Sequence, residues 1–362
     1  MAALFRISFI ILLAGCTPRG EISLLPEAAS IGQLRNIFIG TTRELNTAGR
    51  FTGKRSADVS YHRYQISVPP LHKTGQIDWP AGKPNPEKSF YTTKINHYPS
   101  GGSFVSELSK SLKQRPRNKR EVVIFIHGYN NTFAEGLYRF AQLSNDLELP
   151  NPTVHYSWPS AGNALGYGYD RDSLLFARDG LEKLISNVKA AGANKVLLVG
   201  HSLGSLLTME TLRQMAISNP TGFSRNISGV ILISPDIDID LFHQQAKRIG
   251  KLPQPFVIFK STKDRALQLS ARLSGKHARL GNVASAESLS DLKVSILEIS
   301  QFSNSASGHF TAATSPALLS IIKQLQKIRS AFRNDQSGKA GVLPGAILTV
   351  RKAKEIVLSP AH

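Results

Sequence analysis

Residues 195–204 read Lys195-Val196-Leu197-Leu198-Val199-Gly200-His201-Ser202-Leu203-Gly204. The run Lys195 to Val199 suits a strand buried on both faces of a parallel sheet. The five residues after it fit the pattern G-x-S-x-G, in which a serine stands on a sharp, strained turn from strand to helix. Leu203 to Ala216 then reads as that helix. Glycines belong at both flanks because such a turn brings backbones close together. The pentapeptide alone arises by chance in many chains, and a glycine-rich turn with an ordinary serine is the rival reading. The strand before it and the helix after it favour Ser202 as a nucleophile.

Outward from this stretch, strands and helices alternate. Upstream, Glu121 to Ile126 is a continuous apolar strand ending in His127-Gly128-Tyr129-Asn130. A helix from Thr132 to Leu147 follows, with Phe133, Leu137, Phe140 and Leu143 at helical spacing and Thr132 placed as a cap. Val154 to Ser157 reads as a short strand and Asp172 to Ala190 as a helix. Downstream come strand Val230 to Ser234, helix Ile239 to Ile249, strand Phe256 to Lys260, helix Arg265 to Leu273, strand Val294 to Ile299 and helix Thr314 to Ile328. This alternation predicts a mostly parallel sheet with helices on both faces, whose functional loops lie at the carboxyl ends of the strands. Nearer the N-terminus, Asn36 to Gly40 and Tyr61 to Val68 read as strands, and Lys73 to Ser103, rich in Pro and Gly, as surface loops. In the tail 331–362, Ala346 to Val350 leaves open an edge strand or a mobile end.

A serine nucleophile needs a base and an orienting acid, in the chain order Ser, Asp or Glu, His. Of the histidines after Ser202, only His309 lies in a glycine-containing loop beyond the last core strand, in Ser307-Gly308-His309-Phe310. Two strand ends offer an acid. Asp264 follows Phe256 to Lys260 and is preferred, since its strand immediately precedes the histidine strand. Asp236 follows Val230 to Ser234. Asp264 also opens a helix, so a plain capping role competes with the catalytic one. For the developing oxyanion, one donor should be the backbone N–H of Leu203, and the other that of Tyr129 in the loop after Glu121 to Ile126. His127 and His201 read as structural. Ser157-Trp158-Pro159-Ser160 with Gly162 and Gly166 to Tyr169 follows another strand end, either as a pocket wall or as a tightly packed loop.

The chain has 362 residues, 44 Lys and Arg against 25 Asp and Glu, and a formal charge of +19. Such a charge suggests an anionic partner. The basic run Lys110, Lys113, Arg115, Arg117, Lys119, Arg120 has few aromatics to stack on bases, so it reads as a solvated face, or one suited to lipid headgroups, rather than a nucleic-acid site. No phosphate-binding Gly-Lys-Ser/Thr loop and no Cys/His cluster of zinc spacing is present. The N-terminus favours a membrane. An apolar run from Ile7 to Ala14 follows Arg6 and ends at Gly15-Cys16, the layout of a signal peptide too short to span a bilayer permanently. Cys16 is the chain's single cysteine, so no internal disulfide is available and core burial must hold the fold.

Leu13-Ala14-Gly15-Cys16 resembles the bacterial lipobox, which implies cleavage before Cys16 and lipid attachment to it. Residues 1–15 are then the signal peptide, 16–35 a tether, 36–330 the domain and 331–362 the tail. Thr17 after the cysteine implies the outer membrane if the host is Gram-negative. The chain also resembles a bacterial α/β-hydrolase family of uncharacterised function in the esterase/lipase superfamily. The resemblance rests on Ile37-Phe38-Ile39-Gly40-Thr41-Thr42-Arg43, Val68-Pro69-Pro70, Phe125 to Asn131, Ser157 to Gly162, the 200–204 turn, Ser234 to Asp238, Asp264 to Leu267 and Gly308-His309. It implies the α/β-hydrolase fold and the triad Ser202, Asp264 and His309, a chemistry for which no cofactor is expected. The expected activity is carboxylic ester hydrolysis through an acyl-enzyme. Amide or thioester hydrolysis by the same residues, or a non-catalytic envelope lipoprotein on this scaffold, are the alternatives.

Overall fold

The structure, a computed structural model, describes residues 19–225, 227–273, 275, 277–302, 309, 311–323, 340–343, 346–352 and 355–360. Cys16 and the expected signal peptide lie outside them. The strands are β1 (Gln33–Leu45), β2 (Phe51–Val68), β3 (Tyr91–Tyr98), β4 (Glu121–Ile126), β5 (Thr153–Ser157), β6 (Lys195–His201), β7 (Ile227–Ile233), β8 (Phe256–Lys260), β9 (Ser295–Glu298), β10 (Ala340–Leu343), β11 (Ala346–Lys352) and β12 (Glu355–Pro360). The helices are α1 (Gly101–Lys113), α2 (Phe133–Asp146), α3 (Tyr167–Phe176), α4 (Arg178–Ala190), α5 (Leu203–Ser218), α6 (Ile239–Ile249), α7 (Arg265–Leu273), α8 (Thr311–Thr314) and α9 (Pro316–Lys323).

All twelve strands join one sheet, in the order β10-β11-β12-β9-β8-β7-β6-β4-β5-β1-β2-β3. The run from β12 to β1 is parallel throughout, and antiparallel strands close both edges. Successive residues of the central strands feed opposite cores, as a two-residue side-chain period demands. Val122, Ile124 and Ile126 face the layer containing Phe104 of α1, Leu181 of α4, Leu206 of α5 and Phe242 of α6. Val123 and Phe125 face α2 and Leu319 of α9. The sheet is therefore covered on both sides, which explains its unbroken apolar strands.

The chain leaves β4 for β5 on one side and returns to β6 on the other. That reversal opens a crevice at the carboxyl ends of β4 and β6, where ligands bind in open α/β sheets. The 195–204 stretch and the 127–131 loop meet there. The basic run 110–120 lies before β4, at the opposite edge of the sheet, and Lys110, Lys113, Arg117 and Lys119 are exposed.

Several expectations differ from what is observed. The expected loops at 73–103 contain β3, and a helix follows them: α1 starts at a capping box between Ser100 and Ser103 and buries Phe104, Leu108 and Leu112. The helix expected from Asp172 to Ala190 is two helices meeting at Ala177. The expected tether is folded where it is described. Leu24 bridges to Thr92, residues 26–30 form a 3-10 turn, and β1 begins at Gln33. Its Pro and Gly residues punctuate turns rather than loosen the chain: Gly32 sits where a Cβ would lie 2.4 Å from Val68 O. At the other terminus, β11 and β12 extend the sheet from β9.

Candidate active site

Ser202 stands between β6 and α5 with φ 53° and ψ −124°, in the left-handed region that a side chain avoids unless its surroundings impose it. The surroundings do so here. A Cβ at Gly200 would lie 2.8 Å from Ser205 Cα, and one at Gly204 would lie 2.3 Å from His127 O and 2.5 Å from Ile126 O. The Ser202 N–H donates to Ile233 O at 3.0 Å, tying the turn to β7. Leu203 begins α5, so its N–H has no acceptor within the helix. Gly128 closes the facing side, because a Cβ there would meet Ser202 Cβ at 2.8 Å and His201 Nδ1 at 2.5 Å. The Gly128–Tyr129 peptide thus lies beside the serine.

Two buried charged groups hold that 127–131 loop against the loop after β5. The guanidinium of Arg43, from β1, donates to Asn131 O (2.8 Å), Ser160 O (2.9 Å), Thr52 O (3.0 Å) and Ser157 Oγ (3.0 Å). Burial lowers its pKa to about 10, which still leaves it charged at neutral pH. The carboxylate of Asp170, in α3, accepts from Asn130 N (3.1 Å), Ala161 N (2.6 Å) and Ser160 Oγ (2.6 Å), and burial pushes its pKa up. Ser160 bridges the two, since its Oγ also accepts from Asn131 N at 3.1 Å. His127 stacks on Trp158 with ring centroids 5.0 Å apart, and Trp158 Nε1 donates to His127 O at 2.7 Å. Burial and the nearby Arg43 hold His127 well below the usual histidine pKa, so it stays neutral and packs the turn. Beyond it, Tyr129 OH donates to Ala164 O, and the Tyr129 and Tyr167 rings meet edge to face at 5.4 Å.

The two candidate acids have separate partners. Asp264 is fully buried, and its Oδ2 lies 2.8 Å from His309 Nδ1. Its Oδ1 accepts from Leu267 N at 3.0 Å. One oxygen of Asp264 thus caps α7 while the other contacts the imidazole. Asp236 is committed elsewhere: its carboxylate accepts from Ser270 Oγ (2.7 and 2.8 Å) and Tyr167 OH (3.0 Å) and pairs with buried Arg279 at 3.3 Å. His309 is described, while Ser307, Gly308 and Phe310 lie outside the described residues.

Sequence reasoning missed several supports. His201 packs its ring edge to face on His309 at 4.9 Å, and burial together with His309 keeps it well below the usual histidine pKa. Such a neighbour places no second cation beside His309. Beneath the acid loop, buried Lys260 pairs with Glu298 and Glu355, both at 2.9 Å, and Glu298 in turn accepts from Ser300, whose Oγ receives Thr262 N at 2.8 Å. Arg43 ends the Ile37 to Arg43 stretch that carries the family resemblance, but nothing in that stretch shows its burial or its acceptors, and Asp170 gave no sign at all. The 157–169 segment is tightly packed in its first half, as the packed-loop reading expects. Its first half is buried around Trp158 and Ser160, and its second half reaches Tyr129 and ends in exposed Leu165 and Tyr169. Among the described residues, no group of three or more His, Cys, Asp or Glu is placed to hold a metal ion.

A serine on a left-handed strand-to-helix turn at the switch point of a mostly parallel sheet, with a histidine–aspartate pair from later strand ends, defines the α/β-hydrolase class. The family described as alpha/beta hydrolase of unknown function (DUF900) matches residues 101–329, and the chain belongs to it. An uncharacterized protein of Nostoc sp. is 27% identical over 122 residues, covering 26% of this chain and 32% of that protein, so the chain spans about a third of its curated relative. Among solved structures, an esterase from Pyrococcus furiosus aligns over 86% of this chain and 96% of its own, at 11% identity and TM-score 0.37. Dienelactone hydrolase from Anabaena variabilis aligns over 74% and 90%, at 11% identity and TM-score 0.36.

The separate commitments of the two acids lead to a stability test. Asp236→Asn leaves Arg279 buried without its counter-charge and is expected to lower the unfolding free energy by about 3–5 kcal/mol in a urea titration. A loss below about 1 kcal/mol would show that the pair is not sealed from water.

Proposed function

We propose that this α/β hydrolase is a serine hydrolase that cleaves carboxylic esters through an acyl-enzyme on Ser202. The observation that carries the reading is the 2.8 Å contact between His309 Nδ1 and Asp264 Oδ2, with Asp236 engaged elsewhere. His309 takes the proton of Ser202 Oγ as that oxygen attacks the ester carbonyl. Asp264 accepts from Nδ1–H, fixes the tautomer that leaves Nε2 free to receive the proton, and stabilises the imidazolium. The N–H groups of Leu203 and Tyr129 receive the negative charge that develops on the carbonyl oxygen. Collapse of the tetrahedral intermediate expels the alcohol, which takes its proton from His309. Water, deprotonated by the same histidine, then attacks the acyl carbonyl and releases the acid. A hydroxyl on the turn needs no metal or organic group for these steps.

We also propose that Cys16 carries lipid and anchors the mature chain in the cell envelope, at the outer membrane or periplasmic face if the host is Gram-negative. Its support is the Leu13-Ala14-Gly15-Cys16 ending of an apolar leader. Among the described residues no helix is long and apolar enough to cross a membrane.

Two experiments test these readings. A fluorophosphonate probe is expected to label the native protein at Ser202 and to fail on Ser202→Ala, while Asp264→Asn lowers ester turnover by up to about 10⁴-fold. Native protein that does not react, or a Ser202→Ala variant that reacts equally, would leave a non-catalytic scaffold. Metabolic labelling with a fatty acid should depend on Cys16, and incorporation that persists in Cys16→Ser would remove the anchor.

A further inference from the structure

Arg19 is the first described residue, and it is held at the mouth of the crevice. Its guanidinium donates to Asn130 O (2.8 Å), Asn130 Oδ1 (2.9 Å) and Gly162 O (3.1 Å), and it forms an ion pair with Glu135. Asn130 adjoins Tyr129, the proposed oxyanion donor. Arg19 lies three residue steps after Cys16 along the chain. Fully extended they reach about 10 Å. The sheet is deeper than that leash, since six-residue β4 alone spans about 20 Å from edge to edge. With Arg19 docked, a lipid on Cys16 can approach a bilayer only from the carboxyl-end side of the sheet.

The rim on that side suits such a surface. Leu165, next to the Ala164 carbonyl that receives Tyr129 OH, is 93% exposed, and Leu269 on α7 is 56% exposed. The two halves of the rim are joined by the Tyr167 OH–Ser270 Oγ contact at 2.8 Å. Lys263, Arg265 and Arg272 are exposed around Leu269, with Asp172 the exposed acid on α3. Leucines among exposed basic side chains complement an anionic, apolar-cored layer, and a chain of +19 net charge is drawn to one.

We infer that the mouth of the crevice rests on an anionic phospholipid bilayer, held there by the short leash from Cys16 to Arg19, and that the substrate is an ester of a lipid in that same membrane. This rests on the acyl-enzyme and Cys16 readings above. The ester passes from the bilayer at this rim toward Ser202 without entering bulk water.

The test reads orientation, not turnover. Lipidated full-length protein is placed on vesicles of phosphatidylglycerol and phosphatidylcholine that contain a doxyl-labelled phospholipid. A fluorophore is attached through Leu165→Cys at the rim or Arg117→Cys at the opposite edge, Cys16 being blocked by its lipid. The label at 165 is expected to be quenched several-fold more than the label at 117. Arg19→Ala should narrow that difference, because the next backbone tie, Thr92 N to Ser23 O, lengthens the leash to seven residues, about 25 Å. Equal quenching at the two positions, stronger quenching at 117, or a difference untouched by Arg19→Ala would overturn the inference. Since no substrate is used, a protein whose Ser202 ignores the fluorophosphonate probe can still show the orientation, so that failure sinks the enzymatic reading alone. Protein that lacks fatty acid on Cys16 overturns the leash directly.

Discussion

Between the Cα of Gly204 and the carbonyl oxygens of Ile126 and His127 there is no room for a methyl group, since a Cβ would stand 2.3 to 2.5 Å from both. That close approach presses the start of α5 onto the end of β4. It fixes Ser202 in its left-handed turn and sets the Gly128–Tyr129 peptide against it. The parallel pairing of β4 with β6 brings the two strand ends into register, at the chain reversal where ligands bind in open α/β sheets. Strain at Ser202, of the order of 1–3 kcal/mol, is tolerated because the Ser202 N–H bond to Ile233 and the packing of α5 over-determine it.

The buried charges around this contact divide their work. Arg43 and Asp170 grip backbone groups of the loops after β4 and β5, with Ser160 between them, so the loop that faces Ser202 is held by charge-assisted bonds in a dry setting. Asp236 and Arg279 neutralise each other beneath Tyr167. Lys260 gathers Glu298 and Glu355 below the acid loop and links β12 to β8. Asp264 differs from Asp236 in pairing with no lysine or arginine among the described residues, so its second oxygen is left to the imidazole of His309. Arg43 and Glu355 both lie outside residues 101–329, which the family pattern covers, yet they reach the two sides of the site.

How much of this was legible follows from what each signal is made of. Glu121 to Ile126 and Lys195 to Val199 announced themselves because burial on both faces leaves no polar position. The turn at Ser202 did so because close backbone approach demands glycine. The pairing of His309 with Asp264 was foreshadowed by chain order and strand end, although sequence gave no way to see that one carboxylate both caps α7 and contacts His309. Arg43 was opaque because a buried arginine looks like any surface arginine until its acceptors, on four separate backbone and side-chain groups, are in place. The break at Ala177 escaped because its partner is tertiary: Tyr156 OH, from β5, donates to Ala177 O at 2.6 Å where the two helices meet. Helix α1 was hidden by its lysines, which face solvent while Phe104, Leu108 and Leu112 do not.

The central claim is that the constrained hydroxyl of Ser202 carries the acyl group. Rapid acid quenching during turnover of an activated ester, followed by intact-mass and peptide mass spectrometry, tests it most directly. The account predicts a protein heavier by one acyl group, placed on the peptide that contains Ser202, at a stoichiometry matching the initial burst of released alcohol. Hydrolysis that proceeds without a burst and leaves Ser202 unmodified at every quench time would contradict it.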